Sequence, residues 1–248
     1  MIFSFFDNPI LLLFMIPTVL IALSAHEAAH GYAAYKLGDP TAKALGRLTM
    51  NPLKHINPLG ALCMLLVGFG WANPVPVNPR YFKNPRKGMA IVAAAGPLMS
   101  FCLSVIGAIL YSVLLALIPL VYEVAFLVKF LYYAALFFYV FHIMNLTFCV
   151  FNLLPFPPLD GYRILSIVLP AKAAYWIHRH EKQLYYGFLA WMLVGSNLCS
   201  FLLDLGPIAA SPLLSFFVRL LSVSEWVDIL VTFLSSLLLK LFSFFSLL

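Results

Sequence analysis

The run His26-Glu27-Ala28-Ala29-His30 sets two imidazoles four positions apart with a carboxylate between them. On a helix, positions i and i+4 share a face. Both rings can then reach one Zn²⁺, and the intervening Glu27 lies near an attacking water as general base. The plainer alternative is a polar helix end facing water, with two unrelated histidines. The apolar run around the motif weighs against it, because ionisable groups at the end of a membrane span are costly and usually functional.

A catalytic zinc needs a third protein ligand and an open fourth position. The chain has only nine carboxylates. Asp7, Glu123, Asp204, Glu225 and Asp228 fall near the opposite face or in the last apolar segment. Glu181 lies in a basic patch, and Asp39 sits in a Gly-Asp-Pro turn. Asp160 remains, in the run Asn152-Leu153-Leu154-Pro155-Phe156-Pro157-Pro158-Leu159-Asp160-Gly161. Its prolines and glycine break a helix, and broken helices at membrane depth are tolerated where they line a cavity. The break brings Asp160 to the depth expected for His26 and His30; the competing role is a helix cap beside Gly161.

Other polar residues admit two readings each. The Asn152 amide either donates to the oxyanion of a tetrahedral intermediate or satisfies carbonyls freed by Pro155 and Pro157. His55 either assists the oxyanion or leaving group or is a solvated loop histidine. His142, inside an apolar segment, suits an interhelical hydrogen bond better than metal ligation. His178 and His180 lie among Arg179, Glu181 and Lys182 and read as surface. Cys63, Cys102, Cys149 and Cys199 are far apart, without a C-x-x-C pair, and read as buried apolar residues.

The elements that must position these residues follow from composition. Of 248 residues, 63% are hydrophobic and 10% charged, where a soluble domain carries about 25% charged residues. With a mean hydropathy of +0.99, too little polar surface exists to coat a soluble globule. Disorder, collagen-like repeats and a secreted disulfide scaffold are excluded. The apolar runs are long and lack period-2 alternation, so helices rather than a barrel cross the membrane. The expected fold is an all-α polytopic membrane protein with about five to six transmembrane or re-entrant helices.

The apolar candidates are Pro9 to about Ala29, with Pro17 placed to kink it, then 59–72, 89–118, 124–154, 184–203 and 212–248. The last is long enough to include an interfacial piece. No repeat or linker marks a second domain, so 1–248 reads as one unit, with a catalytic core over about 9–165 and accessory helices over about 184–248. The first run lacks a basic n-region and is not expected to be a cleavable signal. The net charge of +6 reads as topology rather than nucleic-acid binding. Most Lys and Arg residues fall in three groups: Lys36, Lys43, Arg47 and Lys54; Arg80, Lys83, Arg86 and Lys87; Arg163, Lys172, Arg179 and Lys182. The positive-inside rule puts these in the cytoplasm and the N-terminus outside. Segment 59–72 then should not cross fully, and its length suits a re-entrant piece. The stretch 73–79 alternates Val with Pro, which suits an edge strand or irregular loop.

These motifs together resemble the site-2 protease family of intramembrane zinc metalloproteases, in its small bacterial form. The resemblance covers most of 20–165: His26 to Gly31, Gly38-Asp39-Pro40-Thr41-Ala42, Gly46-Arg47-Leu48-Thr49, Asn51-Pro52, His55-Ile56-Asn57-Pro58-Leu59-Gly60, Gly70 to Pro79, Ala95-Gly96-Pro97 and Asn152 to Gly161. Family members commonly carry Asp where Asn57 stands and Asn where Ser100 follows Gly96-Pro97. The resemblance implies that His26, His30 and Asp160 bind one zinc ion, that Glu27 activates water, and that Asn152 lies in the active site. It implies a site below the cytoplasmic surface of a bacterial membrane, and a small membrane-dipping β or re-entrant element within about 44–82. No PDZ-like sensor domain is expected.

The expected reaction is peptide-bond hydrolysis in or near transmembrane segments. The implied substrates are membrane-anchored single-span proteins, such as anti-sigma factors, or remnant signal peptides. A helical substrate must unwind before attack, and Asn73, Val75 and Val77 on the extended edge would hold it by strand addition. A metal transporter using the same ligands would need a relay of ionisable groups through the bilayer, whereas here they gather at one depth. A catalytically silent scaffold leaves the intact Glu27 unexplained.

Overall fold

The computed structural model describes residues 9–60, 72–204, 211–219 and 222–243. Nine α-helices occur among them. They are α1 (Pro9–Lys36), α2 (Thr41–Ala44), α3 (Pro85–Leu117), α4 (Ala125–Asn152), α5 (Asp160–Leu165), α6 (Ala171–Arg179), α7 (Glu181–Asp204), α8 (Pro212–Arg219) and α9 (Val223–Phe242). Four segments are long and apolar enough to cross a membrane: Pro9–Lys36, Pro85–Val121, Ala125–Asn152 and Glu181–Asp204. The 28 residues of α1 span about 42 Å, beyond the roughly 30 Å of a bilayer core.

The described residues hold no β-strand. Of the β or re-entrant element expected within 44–82, the described residues show one isolated antiparallel bridge, Ile56 to Ala72. Most of the 59–72 segment lies outside the described residues. The described residues of the apolar run 212–248 include α8 and α9, and Arg219 of α8 pairs with Glu225 of α9 at 2.6 Å.

Close packing of α1, α3 and α4 rests on small residues. Ala22, Ala25, Ala29, Ala90, Ala93, Gly96, Ser100, Ser104, Gly107 and Ala108 are buried. Large apolar side chains point outward, among them Leu13 (65% exposed), Leu98 (61%) and Phe126 (75%). Small inside and large outside is the arrangement of helices that meet each other closely while facing lipid.

One side of α9 joins this body through a four-residue repeat of buried positions, Val223, Val227, Val231 and Ser235. Ser235 Oγ lies 3.0 Å from His142 Nε2, and His142 Nδ1 lies 3.0 Å from the Ser104 carbonyl and 2.8 Å from its hydroxyl. A carbonyl only accepts, so Nδ1 carries the proton and Nε2 of the neutral ring accepts from Ser235. His142 is thus an interhelical residue joining α3, α4 and α9, as its position in an apolar run suggests.

At the other end of α4, the proline-rich break is packed rather than loose. Phe156 stacks on Phe188 of α7 (centroids 5.5 Å apart) and meets Trp191 edge-on. Leu159 is buried in the same cluster with Leu146, Val150 and Val227. Gly161 passes so near the carbonyls of Leu153 and Leu154 that no Cβ fits there. The chain therefore turns back on the end of α4, and this turn sets where α5 begins.

Candidate metal centre

α5 begins at Asp160, facing α1. Asp160 Oδ2 lies 3.1 Å from His26 Nε2 and 3.2 Å from His30 Nε2. All three residues are buried. The two rings stand nearly perpendicular, with centroids 4.7 Å apart. Among the described residues, this is the cluster of three His, Cys, Asp or Glu side chains with donor atoms close enough to hold one metal ion.

α3 governs how the two rings present themselves. His30 Nδ1 donates to the Val92 carbonyl at 2.7 Å, and His26 Nδ1 lies 3.1 Å from Ser100 Oγ. Between these partners sits Gly96, where a Cβ would overlap Nε2 of both histidines. Val92, Gly96 and Ser100 are successive i, i+4 positions, so one stripe of α3 offers an acceptor, a gap and a hydroxyl to the pair. The carbonyl fixes the His30 tautomer, a common arrangement for metal-bound histidines.

That tautomer bears on what the site can hold. With its proton on Nδ1, neutral His30 offers Asp160 a lone pair, not a donor. Two acceptors 3.2 Å apart need a positive charge between them, either a second imidazole proton or a metal ion. Ligands about 2.0–2.1 Å from a tetrahedral zinc stand about 3.3 Å from each other, close to the separations here. The donor set therefore fits zinc. Burial pushes the Asp160 carboxyl up, but with His26 and His30 protonated their hydrogen bonds and charge outweigh burial and hold the carboxyl at about 2. Asp160 is a carboxylate at neutral pH, as a ligand must be.

Glu27, half-buried beside the pair, accepts the Val75 N–H through Oε2 at 2.8 Å. Asn152 stands at the last position of α4, its amide donating to the Phe148 carbonyl at 3.0 Å. His55 is fully buried rather than solvated, and its Nε2 donates to the Thr49 carbonyl at 2.9 Å. Asn73 donates through its amide to the Ile56 carbonyl and accepts from the Asn57 side chain. Val75 is buried, and Val77 packs with Ala34, Phe82 and Val92. The structure thus brings together His26, His30 and Asp160, with Glu27 at their edge. Asn152, His55, Asn73 and Val77 make their contacts with backbone or neighbouring packing around them.

Sequence reasoning gave no role to Val92, Gly96 or Ser100 at the histidines. The spacing of Gly96 and Ser100 one turn apart was the available signal, but a gap and a hydroxyl acquire meaning only when the opposing helix is known.

A carboxylate-bearing helix with two converging imidazoles, completed by an aspartate from a broken helix in an apolar bundle, defines a membrane metalloprotease. The chain belongs to peptidase family M50, the site-2 protease family, whose model matches residues 14–195. Over 181 residues it is 40% identical to "Putative zinc metalloprotease YwhC" of Bacillus subtilis, covering 73% of this chain and 79% of that relative. It is 32% identical over 152 residues to "Putative zinc metalloprotease Rip2" of Mycolicibacterium smegmatis, and 30% identical over 153 residues to the protein of that name in Mycobacterium tuberculosis. Each of these two matches covers 59% of this chain and 54% of the relative. No solved structure matches the chain significantly.

Proposed function

We propose that this metalloprotease hydrolyses peptide bonds in or beside the transmembrane segments of membrane-anchored proteins, from a site near the cytoplasmic face of a bacterial membrane. The observation that carries the reading is the meeting of Asp160 with His26 and His30 inside helices long enough to span a bilayer. His26, His30 and Asp160 hold one zinc ion in this reading. When bound there, zinc supplies Lewis acidity toward a peptide carbonyl and a water molecule.

The residues of the chain do the rest. Glu27 takes the proton of the attacking water and delivers it to the leaving nitrogen. Its Oε2 accepts the Val75 N–H, and this reading assigns the proton to Oε1. Residues 73–77 present backbone to an unwound substrate. With Pro74 and Pro76 lacking N–H groups, the edge offers mainly carbonyls, and an incoming strand donates to them.

Orientation follows from the basic groups. Arg86 donates to the carbonyls of Ser166 and Leu169, and Asp39 accepts from Asn78. These contacts tie the three basic loops to one end of the bundle. By the positive-inside rule that end is cytoplasmic and the N-terminus outside. Substrates are single-span proteins or remnant signal peptides.

The test is reconstitution of the protein with a single-span substrate in liposomes. Glu27→Gln should keep one zinc per chain and lose cleavage by at least about 10³-fold. Asp160→Ala should lose both zinc and cleavage. Cleavage by Glu27→Gln at the wild-type rate, or full zinc in Asp160→Ala, would overturn the assignment of these roles.

A further inference from the structure

Two glycine turns follow α1 in quick succession. Gly38 has φ +103° and Gly46 has φ +64°, both in the left-handed region that favours glycine. Gly38 N–H bonds to the Tyr35 carbonyl and Asp39 N–H to Ala34; Gly46 N–H bonds to Lys43 and Arg47 N–H to Ala42. Each is a Schellman closure, with the residue after the glycine carrying the longer bond. The residues so delivered are Asp39 and Arg47. Their side chains reach the same segment, the strap 73–78.

At the far end of the strap, Asp39 Oδ2 accepts the Asn78 N–H at 2.6 Å. Its Oδ1 accepts both the N–H of Thr41 at 2.9 Å and its hydroxyl at 2.5 Å. Asp39 is fully buried. Both oxygens face donors, which a carboxylate alone can accept. At the near end, Arg47 Nη2 donates to the Asn73 carbonyl at 2.6 Å, and Asn73 N–H bonds to the His55 carbonyl at 2.7 Å. Between these two anchors, the Val75 N–H meets Glu27. The residues on either side of it are Pro74 and Pro76, which have no N–H to compete.

We propose that Asp39 and Arg47 are positioning residues for Glu27. They fix the two ends of the strap so that the Val75 amide holds the Glu27 carboxylate in its working orientation. The inference rests on the metalloprotease reading for the role of Glu27, and adds to it a backbone donor with two side chains that aim it.

The experiment uses the full chain in detergent and measures amide hydrogen exchange along 74–77, where Val75 and Val77 are the only amides. The same variants are assayed on a fluorogenic single-span peptide. Asp39→Asn keeps the shape but turns one acceptor into a donor facing an N–H. It should speed Val75 exchange by at least about tenfold and lower kcat by about 100-fold, the scale of a 1 Å misplacement. Zinc content and exchange in α1 and α3 should be unchanged. Arg47→Met should act in the same direction from the other end, and Arg47→Lys should recover part of the loss. Glu27→Ala should speed exchange at Val75 but not at Asn78.

Val75 exchange and kcat within about twofold of wild type in both Asp39→Asn and Arg47→Met would overturn the proposal. So would a loss of kcat that follows a loss of zinc. If Asp39→Asn does not fold, Arg47→Met decides alone. Exchange is read without substrate, so failure to cut a membrane-embedded peptide would count against the proposed function and leave this inference standing.

Discussion

Single atoms decide which charges this site accepts. The His30 proton is committed to the Val92 carbonyl, and from that one bond follows the need for positive charge beside Asp160. Asp39 answers to a different balance. Burial pushes its carboxyl up, but the Thr41 hydroxyl and the N–H groups of Asn78 and Thr41 outweigh burial and hold it below the usual carboxylate range. An unfolded aspartate titrates near about 3.9, so the unfolded chain takes the proton first. The stabilisation is present in full above that value and is lost as pH falls through the lower folded value. The gap in thermal midpoint between wild type and Asp39→Asn should therefore be constant near neutrality and close below about pH 4, as scanning calorimetry would record. At this scale the His-Glu-His motif was legible because its spacing is local. Asp160 was reached because few carboxylates compete with it. Asp39 was passed over as a turn residue, since nothing in a sequence says where a turn aims its side chain.

Elements succeed here by how closely they approach. α3 comes near enough to touch both imidazoles only because residue 96 has no side chain. Gly96→Ala should leave the helices folded, as a single methyl on a helix favours helicity. It should nonetheless weaken zinc binding by about 10- to 100-fold, the range seen when support of a metal ligand is disturbed, measurable by competition with a chelator. Helix existence was legible from apolar run length, and the ends moved with local chemistry. α1 continues past Ala29 and through Gly31 to Lys36, because no proline or left-handed glycine intervenes until Gly38. α3 starts at Pro85, ahead of the apolar run, because the Asn84 side chain caps it through the Lys87 N–H. The β or re-entrant element within 44–82 was an implication of the resemblance, and the alternating Val and Pro of 73–79 admitted either an edge strand or an irregular loop. Proline removes the very N–H groups that a ladder needs, and the segment is held instead by side chains of other loops.

Among the described residues, the buried polar contacts at His142 help fix how three long helices meet. Ser235→Ala should cost about 0.5–1.5 kcal/mol in unfolding experiments, the range for interhelical hydrogen bonds in membranes. A change below about 0.2 kcal/mol would show that α9 is held by its valines alone. The overall class was legible because 63% hydrophobic content leaves no soluble solution. The attachment of α9 was not, because the bond between His142 and Ser235 joins residues distant in the chain. That bond bears on how small this protease can be made. A version cut before α9 would turn a bare imidazole nitrogen toward acyl chains, with no water there to satisfy it. A fragment ending before α9 loses this bond together with the buried face of Val223, Val227 and Val231, and should unfold more readily than the full chain, however far α9 lies from the scissile bond.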